Sequence, residues 1–173
     1  MAVTAGNIKA AEILLRHNNA LIHYVDQGGS TCLMWASENA SSNKNGPAMV
    51  ELLLRAGANV NGLDINQATA FDRLCATSGN VRAAQLLIRA GAEIRRESSH
   101  KHPMTHLMVA AMNGHKELCR ELMEKHNCDP RVQNERGWTA SHYSDSTENH
   151  NVSKMLQERV KLLNEGEAEM VVE

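Results

Sequence analysis

The chain has 173 residues, a formal net charge of −2 at pH 7 and an aromatic fraction of only 3%. This charge argues against nucleic acid as the main partner, because phosphate neutralisation needs a surplus of lysine and arginine. No apolar run approaches the roughly 18–20 residues of a membrane span, and the start of the chain does not resemble a secretory signal. The four cysteines form no CxxC pair, which predicts reduced thiols and a cytoplasmic or nuclear location.

The sequence contains an internal repeat. The segment LLLRAGA at 52–58 recurs almost unchanged as LLIRAGA at 86–92, with weaker copies at 13–19 and 122–128. A second landmark is a threonine followed by a short helical stretch. It occurs at Thr31, Thr69, Thr105 and Thr139, with spacings of 38, 36 and 34 residues. Because threonine caps the free N–H groups at a helix start and the leucine triplet buries a helix face, each period predicts two helices.

These landmarks resemble the ankyrin repeat, whose pattern is D-x-x-G-x-T-P-L-H-x-A-A-x-x-G-H followed by a helix ending in L-L-L-x-x-G-A-D-V-N. The matching segments are DQGGSTCL at 26–33, THLMVAAMNGH at 105–115, NERGWTASH at 134–142 and GANVN at 57–61. The resemblance covers about residues 2–157. It implies an all-α solenoid of helix-turn-helix units joined by hairpin fingers.

The chain departs from this pattern at several positions. Proline is missing from every copy, and its place is taken by Cys32, Ala70, His106 and Ala140. The following histidine is kept only as His142, while Asp72 replaces it in the third unit. Ser141 stands where leucine is expected, which predicts a weaker core in the last unit. Gly79 and Gly114 are expected between helices, where a left-handed residue ends a helix, and Gly57 and Gly91 are expected to end outer helices.

The spacing of the landmarks predicts six segments. They are a partial repeat at 1–25, a repeat with a loop insertion at 26–63, a repeat at 64–96, a repeat with a long finger at 97–133, a C-terminal capping repeat at 134–164 and an acidic tail at 165–173. The first segment matches only the second half of a repeat, with an outer helix expected from Ile8 to His17. Because a half repeat exposes an apolar face, we expect further repeats or domains upstream in a longer chain.

The resemblance places the binding surface on the concave face formed by the fingers and inner helices. The candidate partner-binding residues are Trp35, Glu38, Asn39, Arg73, Thr77, Lys101, His102, Met104, Val109, Met112, Asn113, Arg136, Trp138 and Tyr143. Tryptophan and tyrosine are frequent anchors of protein interfaces, whereas Phe71 falls on a core position. The alternative for Trp138 and Tyr143 is that they only pack on each other. The basic finger with Lys101 and His102 either meets an acidic partner or is a solvated loop without a role.

Residue types that could carry chemistry are present but poorly arranged. Cys119, His126 and Cys128 are close in sequence, yet Cys119 takes an apolar helix position where a buried thiol is the simpler explanation. His100 and His102 have no cysteine nearby. No phosphate-binding loop or hydrolase motif occurs. We therefore expect no metal, no cofactor and no enzymatic activity.

The resemblance implies a protein–protein interaction module, acting as an adaptor, scaffold or inhibitor that holds a partner peptide or domain on the concave face. A second possibility is the targeting or substrate-recruiting domain of a larger, multidomain enzyme. A third is a spacer with a silent concave face. An aromatic cage for methylated lysine, which some ankyrin arrays use, is disfavoured because Trp138 and Tyr143 lie too many repeats away from Trp35.

Overall fold

The computed structural model describes residues 2–94, 97–98 and 104–170. Within these ranges the chain is built almost entirely from helices. In chain order they are α1 (Ile8–His17), a 3₁₀ helix (Asn19–His23), α2 (Cys32–Glu38), α3 (Gly46–Arg55), α4 (Ala70–Ala76), α5 (Val81–Arg89), α6 (His106–Met112), α7 (Lys116–His126), α8 (Ala140–Ser146) and α9 (His150–Met170). Two short strands, β1 (Glu97–Ser98) and β2 (Met104–Thr105), pair antiparallel ahead of α6.

The helices form two layers. The inner layer is α2, α4, α6 and α8, each packed on the next, and the outer layer is α1, α3, α5, α7 and α9 in the same succession. Inner helices also pack on the outer helices that follow them, so one continuous core runs between the layers. Leu33, Phe71 and Leu107 fill this core from the inner layer, and Leu53 and Leu87 from the outer layer. The predicted all-α solenoid is confirmed.

The inner helices begin where the threonine pattern predicts. The Thr31, Thr69 and Thr105 hydroxyls each accept a hydrogen bond from the backbone N–H three residues later, at 3.1–3.3 Å. These bonds satisfy donors that a helix start would otherwise leave free. At the other end of the unit, Gly57 (φ 89°) and Gly91 (φ 93°) end the outer helices in the left-handed region, as expected.

The first unit leaves apolar side chains uncovered. Leu14 on α1 is 49% exposed, whereas Leu53 and Leu87, which hold the same position in later outer helices, are buried. In this unit residues 2–6 form turns rather than an inner helix, and α1 packs on the 3₁₀ helix and on α3. Ile13 beside Leu14 is exposed as well.

The third and fourth units are joined by a buried polar contact. Nε2 of His106 lies 2.9 Å from Oδ1 of Asp72, and Nδ1 of His106 lies 2.9 Å from the Ile94 carbonyl oxygen. The imidazole also meets the Phe71 ring edge-on, with centroids 4.9 Å apart. Oδ2 of Asp72 accepts hydrogen bonds from the backbone and hydroxyl of Thr69. The two replacements of the family pattern thus become partners across a unit boundary.

The last helix, α9, continues to Met170 and so includes residues 165–170 of the segment expected as an acidic tail. Lys161 and Glu165 lie one helical turn apart with 3.8 Å between their charged atoms, a spacing that favours helix. No helix in the described part of the chain is both long enough and apolar enough to span a membrane.

Candidate functional site

The first finger positions Trp35 at the N-terminal end of the concave face. Oδ1 of Asp26 accepts hydrogen bonds from the backbone N–H groups of Gly28 and Ser30, both at 2.9 Å, which closes the finger turn. Oδ2 of Asp26 accepts a hydrogen bond from the indole Nε1 of Trp35 at 3.1 Å. The Ser30 backbone bond is the largest influence on Asp26 and lowers its pKa against the opposing effect of desolvation. The carboxylate is therefore charged at neutral pH and fixes the indole.

The second finger repeats this arrangement with Arg73. Oδ1 of Asp64 closes the turn, and Oδ2 of Asp64 accepts a hydrogen bond from Nη2 of Arg73 at 2.8 Å. The same guanidinium reaches back to the preceding unit, where it donates to the carboxylate of Glu38 at 3.1 Å and the hydroxyl of Ser30 at 2.8 Å. Its central carbon lies 5.6 Å from the centroid of the Trp35 ring. Arg73 thus ties two units together beneath the indole.

In the last finger, the amide of Asn134 takes the place of the aspartate, and the phenol of Tyr143 takes the place of Trp35 or Arg73. Oδ1 of Asn134 accepts hydrogen bonds from the backbone N–H groups of Arg136 and Trp138, and Nδ2 of Asn134 donates to the Tyr143 hydroxyl at 2.7 Å. The Trp138 ring meets Tyr143 edge-on at 5.2 Å and stacks on His142 at 6.5 Å. Trp138 and Tyr143 therefore contact each other, and the Tyr143 hydroxyl has its hydrogen-bond partner in Asn134 of the same unit.

Exposure at equivalent positions falls along the stack. The position four residues after the capping threonine is 36% exposed at Trp35, but only 8% at Val109 and 9% at Tyr143. Met104, which was expected at a finger tip, is buried as well. The prediction that these three residues face solvent is wrong, because all three belong to the continuous apolar core. Tyr143 also contacts Trp138 and Asn134 of its own unit.

The other candidates on the inner helices are held by local bonds. The Asn39 and Asn113 side chains each donate to the carbonyl four residues earlier, at 2.9 Å. The Thr77 hydroxyl donates to the carbonyl oxygens of Arg73 at 2.6 Å and Glu38 at 3.2 Å. Met112 is half-buried. These groups line the face with oriented amides and hydroxyls, which a partner can still approach at their remaining polar atoms.

Three candidates need separate mention. Arg136 is exposed at the tip of the last finger. Lys101 and His102 lie outside the described residues, so their placement is not part of the site described here.

Tyr24 is a residue that the sequence did not single out as a candidate. Its ring is 64% exposed and borders a cavity of about 530 Å³ that Trp35 and Asp26 also line. Tyr24 precedes the first finger, where the repeat pattern prescribes no residue. The available signal was its position two residues before Asp26, in a chain that has only five Phe, Trp and Tyr residues.

Two of the four cysteines, Cys75 and Cys119, are buried. No cluster of three or more histidine, cysteine or carboxylate side chains within the described residues could hold a metal ion. Burial raises the pKa of Cys119 to about 12 and raises that of Cys75 well above its usual value. Since the thiolate is the nucleophile, both thiols are unreactive in the folded chain.

Comparison with known families agrees with this geometry. The family described as "Ankyrin repeats (3 copies)" matches residues 73–166, and the family described as "Ankyrin repeat" matches residues 28–65. Such repeats are helix-turn-helix solenoids that generally mediate protein–protein interactions and are typically not catalytic. The two matches cover the units from α2 onward, and they confirm that the chain belongs to the ankyrin-repeat family.

Proposed function

We propose that this chain binds a segment of another protein on its concave face, with Trp35 as the main anchor. The observation that carries the proposal is that the indole is exposed and yet immobilised. Its Nε1 donates to Asp26, and Arg73 lies against its ring. A side chain that is already fixed loses little conformational entropy on binding, and buried tryptophans are the most frequent hot spots of interfaces.

Neighbouring groups extend the anchor into a surface. Glu38, Asn39 and Thr77 lie on α2 and at the end of α4, and each has its side chain oriented by a hydrogen bond within the chain. An extended segment lying across these helices would find an aromatic contact at one end and amide, hydroxyl and carboxylate groups beyond it. This combination of a packed aromatic and a polar surround is typical of binding surfaces.

Trp138 provides the matched control. It is 38% exposed, about as much as Trp35, but it lies at the opposite end of the stack against Tyr143 and His142. If the loss of any exposed indole weakened partner binding, replacement of either tryptophan by alanine would show it. An effect specific to the proposed anchor would appear only at Trp35.

The test compares wild type, Trp35→Ala and Trp138→Ala as baits in quantitative affinity capture from a cell lysate, followed by binding measurements with the recovered protein. We expect Trp35→Ala to weaken binding by about 30-fold or more, the equivalent of roughly 2 kcal/mol, and Trp138→Ala to change it little. Circular dichroism and thermal unfolding establish that both variants are folded. Equal capture by all three baits would instead support a spacer with a silent face.

A further inference from the structure

The cavity beside Trp35 has a mixed lining. Its volume is about 530 Å³, within the range of sites that hold small molecules or single side chains. The Tyr24 and Trp35 rings, with Val3 and Cys32, supply apolar and aromatic surface. Asp26 supplies a carboxylate. The cavity therefore offers aromatic rings and a negative charge to one occupant.

The charges around this cavity are not balanced. Arg73 is the cation that binds the carboxylates here, and it is shared by Glu38 and Asp64. Asp26 accepts its bonds from backbone N–H groups and the Trp35 indole, and no cationic side chain among the described residues forms an ion pair with it. Glu38 and Asp64 thus share one guanidinium, and Asp26 has no cationic partner among the described residues, which leaves an excess of negative charge among these four groups.

The chain already contains one example of a cation in this environment. The Arg73 guanidinium lies 5.6 Å from the centroid of the Trp35 ring and bonds to carboxylates on either side. A cation over an indole is attracted by the negative face of the ring. Trp35 remains 36% exposed after this contact, so part of the ring is left for a second cation.

Other occupants fit this lining less well. A neutral aliphatic side chain would displace water from Asp26 without replacing its hydrogen bonds, which is unfavourable. An acidic side chain would meet Asp26 and Glu38 with the same charge. A lysine or arginine instead places its methylene stem against the rings and its charge near the carboxylate.

We propose that the cavity between Tyr24 and Trp35 binds a lysine or arginine side chain of the partner segment, an inference that rests on the proposed binding of a protein segment to the concave face. Asp26 pairs with the cation, and the two rings contact the stem and the charge. The cavity thereby selects a basic residue in the bound sequence.

The test uses the two indole N–H signals of the ¹⁵N-labelled chain, since Trp35 and Trp138 are its only tryptophans. The probes are four blocked tripeptides, acetyl-alanyl-X-alanine amide, in which X is lysine, arginine, norleucine or glutamate. We expect lysine and arginine peptides to shift the Trp35 signal saturably, with dissociation constants in the millimolar range, and to leave Trp138 unmoved. Added salt should weaken this binding because it screens the charges.

Two variants test the roles of Asp26 and Tyr24, which line the cavity. Asp26→Asn keeps the oxygen that closes the finger, as Asn134 does in the last finger, and removes the charge. It also replaces the oxygen that accepts the Trp35 indole N–H with an amide NH2 group. We expect it to weaken lysine binding about fivefold, the order of one exposed charge contact. Tyr24→Leu should weaken it to a similar degree. Glu124→Gln, on the exposed side of α7, is the charge-matched control and should have no effect.

The outcomes separate this inference from the proposed function. Equal shifts with the norleucine peptide, no shift with any peptide, or full binding by Asp26→Asn would overturn the assignment of a basic side chain. If partner capture still depends on Trp35 in that case, the concave face remains the binding surface. If capture does not depend on Trp35, the proposed function fails, whatever the tripeptides show.

Discussion

His106 and Asp72 face each other across the boundary between two repeat units, with Nε2 2.9 Å from Oδ1 and both side chains buried. Each residue replaces a different member of the proline–histidine pair of the family pattern. In this chain the acidic replacement caps its own helix at Thr69 and also binds the imidazole of the next unit. Two departures that look unrelated in sequence therefore form a single stabilising contact.

Removal of this contact should be costly. We expect Asp72→Ala to lower the free energy of unfolding by about 3 kcal/mol, because it leaves a buried imidazole nitrogen without its partner. Urea denaturation followed by circular dichroism measures the change. Asp145→Ala on the neighbouring inner helix is the control, since Asp145 is exposed and should contribute within about 0.5 kcal/mol. Similar losses in both variants would contradict a special role for the buried pair.

Because of the same pair, the free energy of unfolding should depend on pH in the acidic range. Burial alone would raise the pKa of Asp72, but its hydrogen bonds with His106 and Thr69 outweigh burial and lower the pKa below the ordinary value of 3.8. A lowered folded-state pKa means that the stabilisation is complete above about pH 4 and is lost as the pH falls through the folded value. The stability difference between wild type and Asp72→Ala should therefore shrink between pH 7 and pH 3. A difference that stays constant in urea titrations over this range would refute the linkage.

Two glycine-to-alanine substitutions should change the free energy of unfolding in opposite directions. A Cβ at Gly46, the first residue of α3, would lie 2.3 Å from the Ala40 carbonyl oxygen. Gly46→Ala should therefore cost about 1–3 kcal/mol through overpacking. Gly166 lies within α9 and has open space around it. Gly166→Ala should raise the free energy of unfolding by at most about 1 kcal/mol, because alanine has a higher helix propensity than glycine. Melting temperatures that move in the same direction would show that the α3 turn can relax.

Glu148 adopts a conformation that suits glycine. Its φ is 61°, at the turn between α8 and α9, where the equivalent residues of earlier units are Gly79 and Gly114. Glu148→Gly should raise the free energy of unfolding by roughly 0.5–1 kcal/mol, because relief of the left-handed strain exceeds the added entropy of the unfolded chain. Gly57→Ala is the reverse test, since its φ is 89° and no atom lies within 4 Å of a Cβ there. It should destabilise by about 1 kcal/mol through backbone strain alone.

Thiol reactivity should divide the cysteines into two groups. Cys75 and Cys119 are buried with raised pKa values, whereas Cys32 and Cys128 are half-buried. With iodoacetamide at pH 8, Cys75 and Cys119 should be alkylated only as fast as the chain opens, and all four should react within minutes in urea. Peptide mass spectrometry gives the rate at each site. Rapid native labelling of Cys119 would show that α7 is not packed as described.

The features that the sequence predicted are those set by local chemistry. Threonine caps at Thr31, Thr69 and Thr105 and left-handed glycines act within a few residues of themselves, so the order of inner and outer helices follows from their spacing. The side chain of Trp35, expected at an accessible position of its inner helix, is 36% exposed. In these cases the environment of the residue depends mainly on its own unit.

The features that the sequence missed depend on neighbouring units. Val109 and Tyr143 occupy the same position as Trp35, but they are buried in the continuous core, and a repeat pattern carries no information on how far a given position is buried. The contact between Asp72 and His106 joins residues 34 positions apart, both at places where the pattern expects something else. Tyr24 enters the cavity from a segment to which the pattern assigns no residue type.

In each of the three fully described fingers, the two polar atoms of one side chain have different roles. In Asp26, Asp64 and Asn134, one oxygen closes the turn, while the second polar atom binds the residue nine positions later: an indole, a guanidinium or a phenol. Because the turn never uses that second atom, its companion can change identity without disturbing the backbone. The scaffold thus offers an exchangeable pair in each of these three repeats, through which new specificities can evolve while the architecture stays intact.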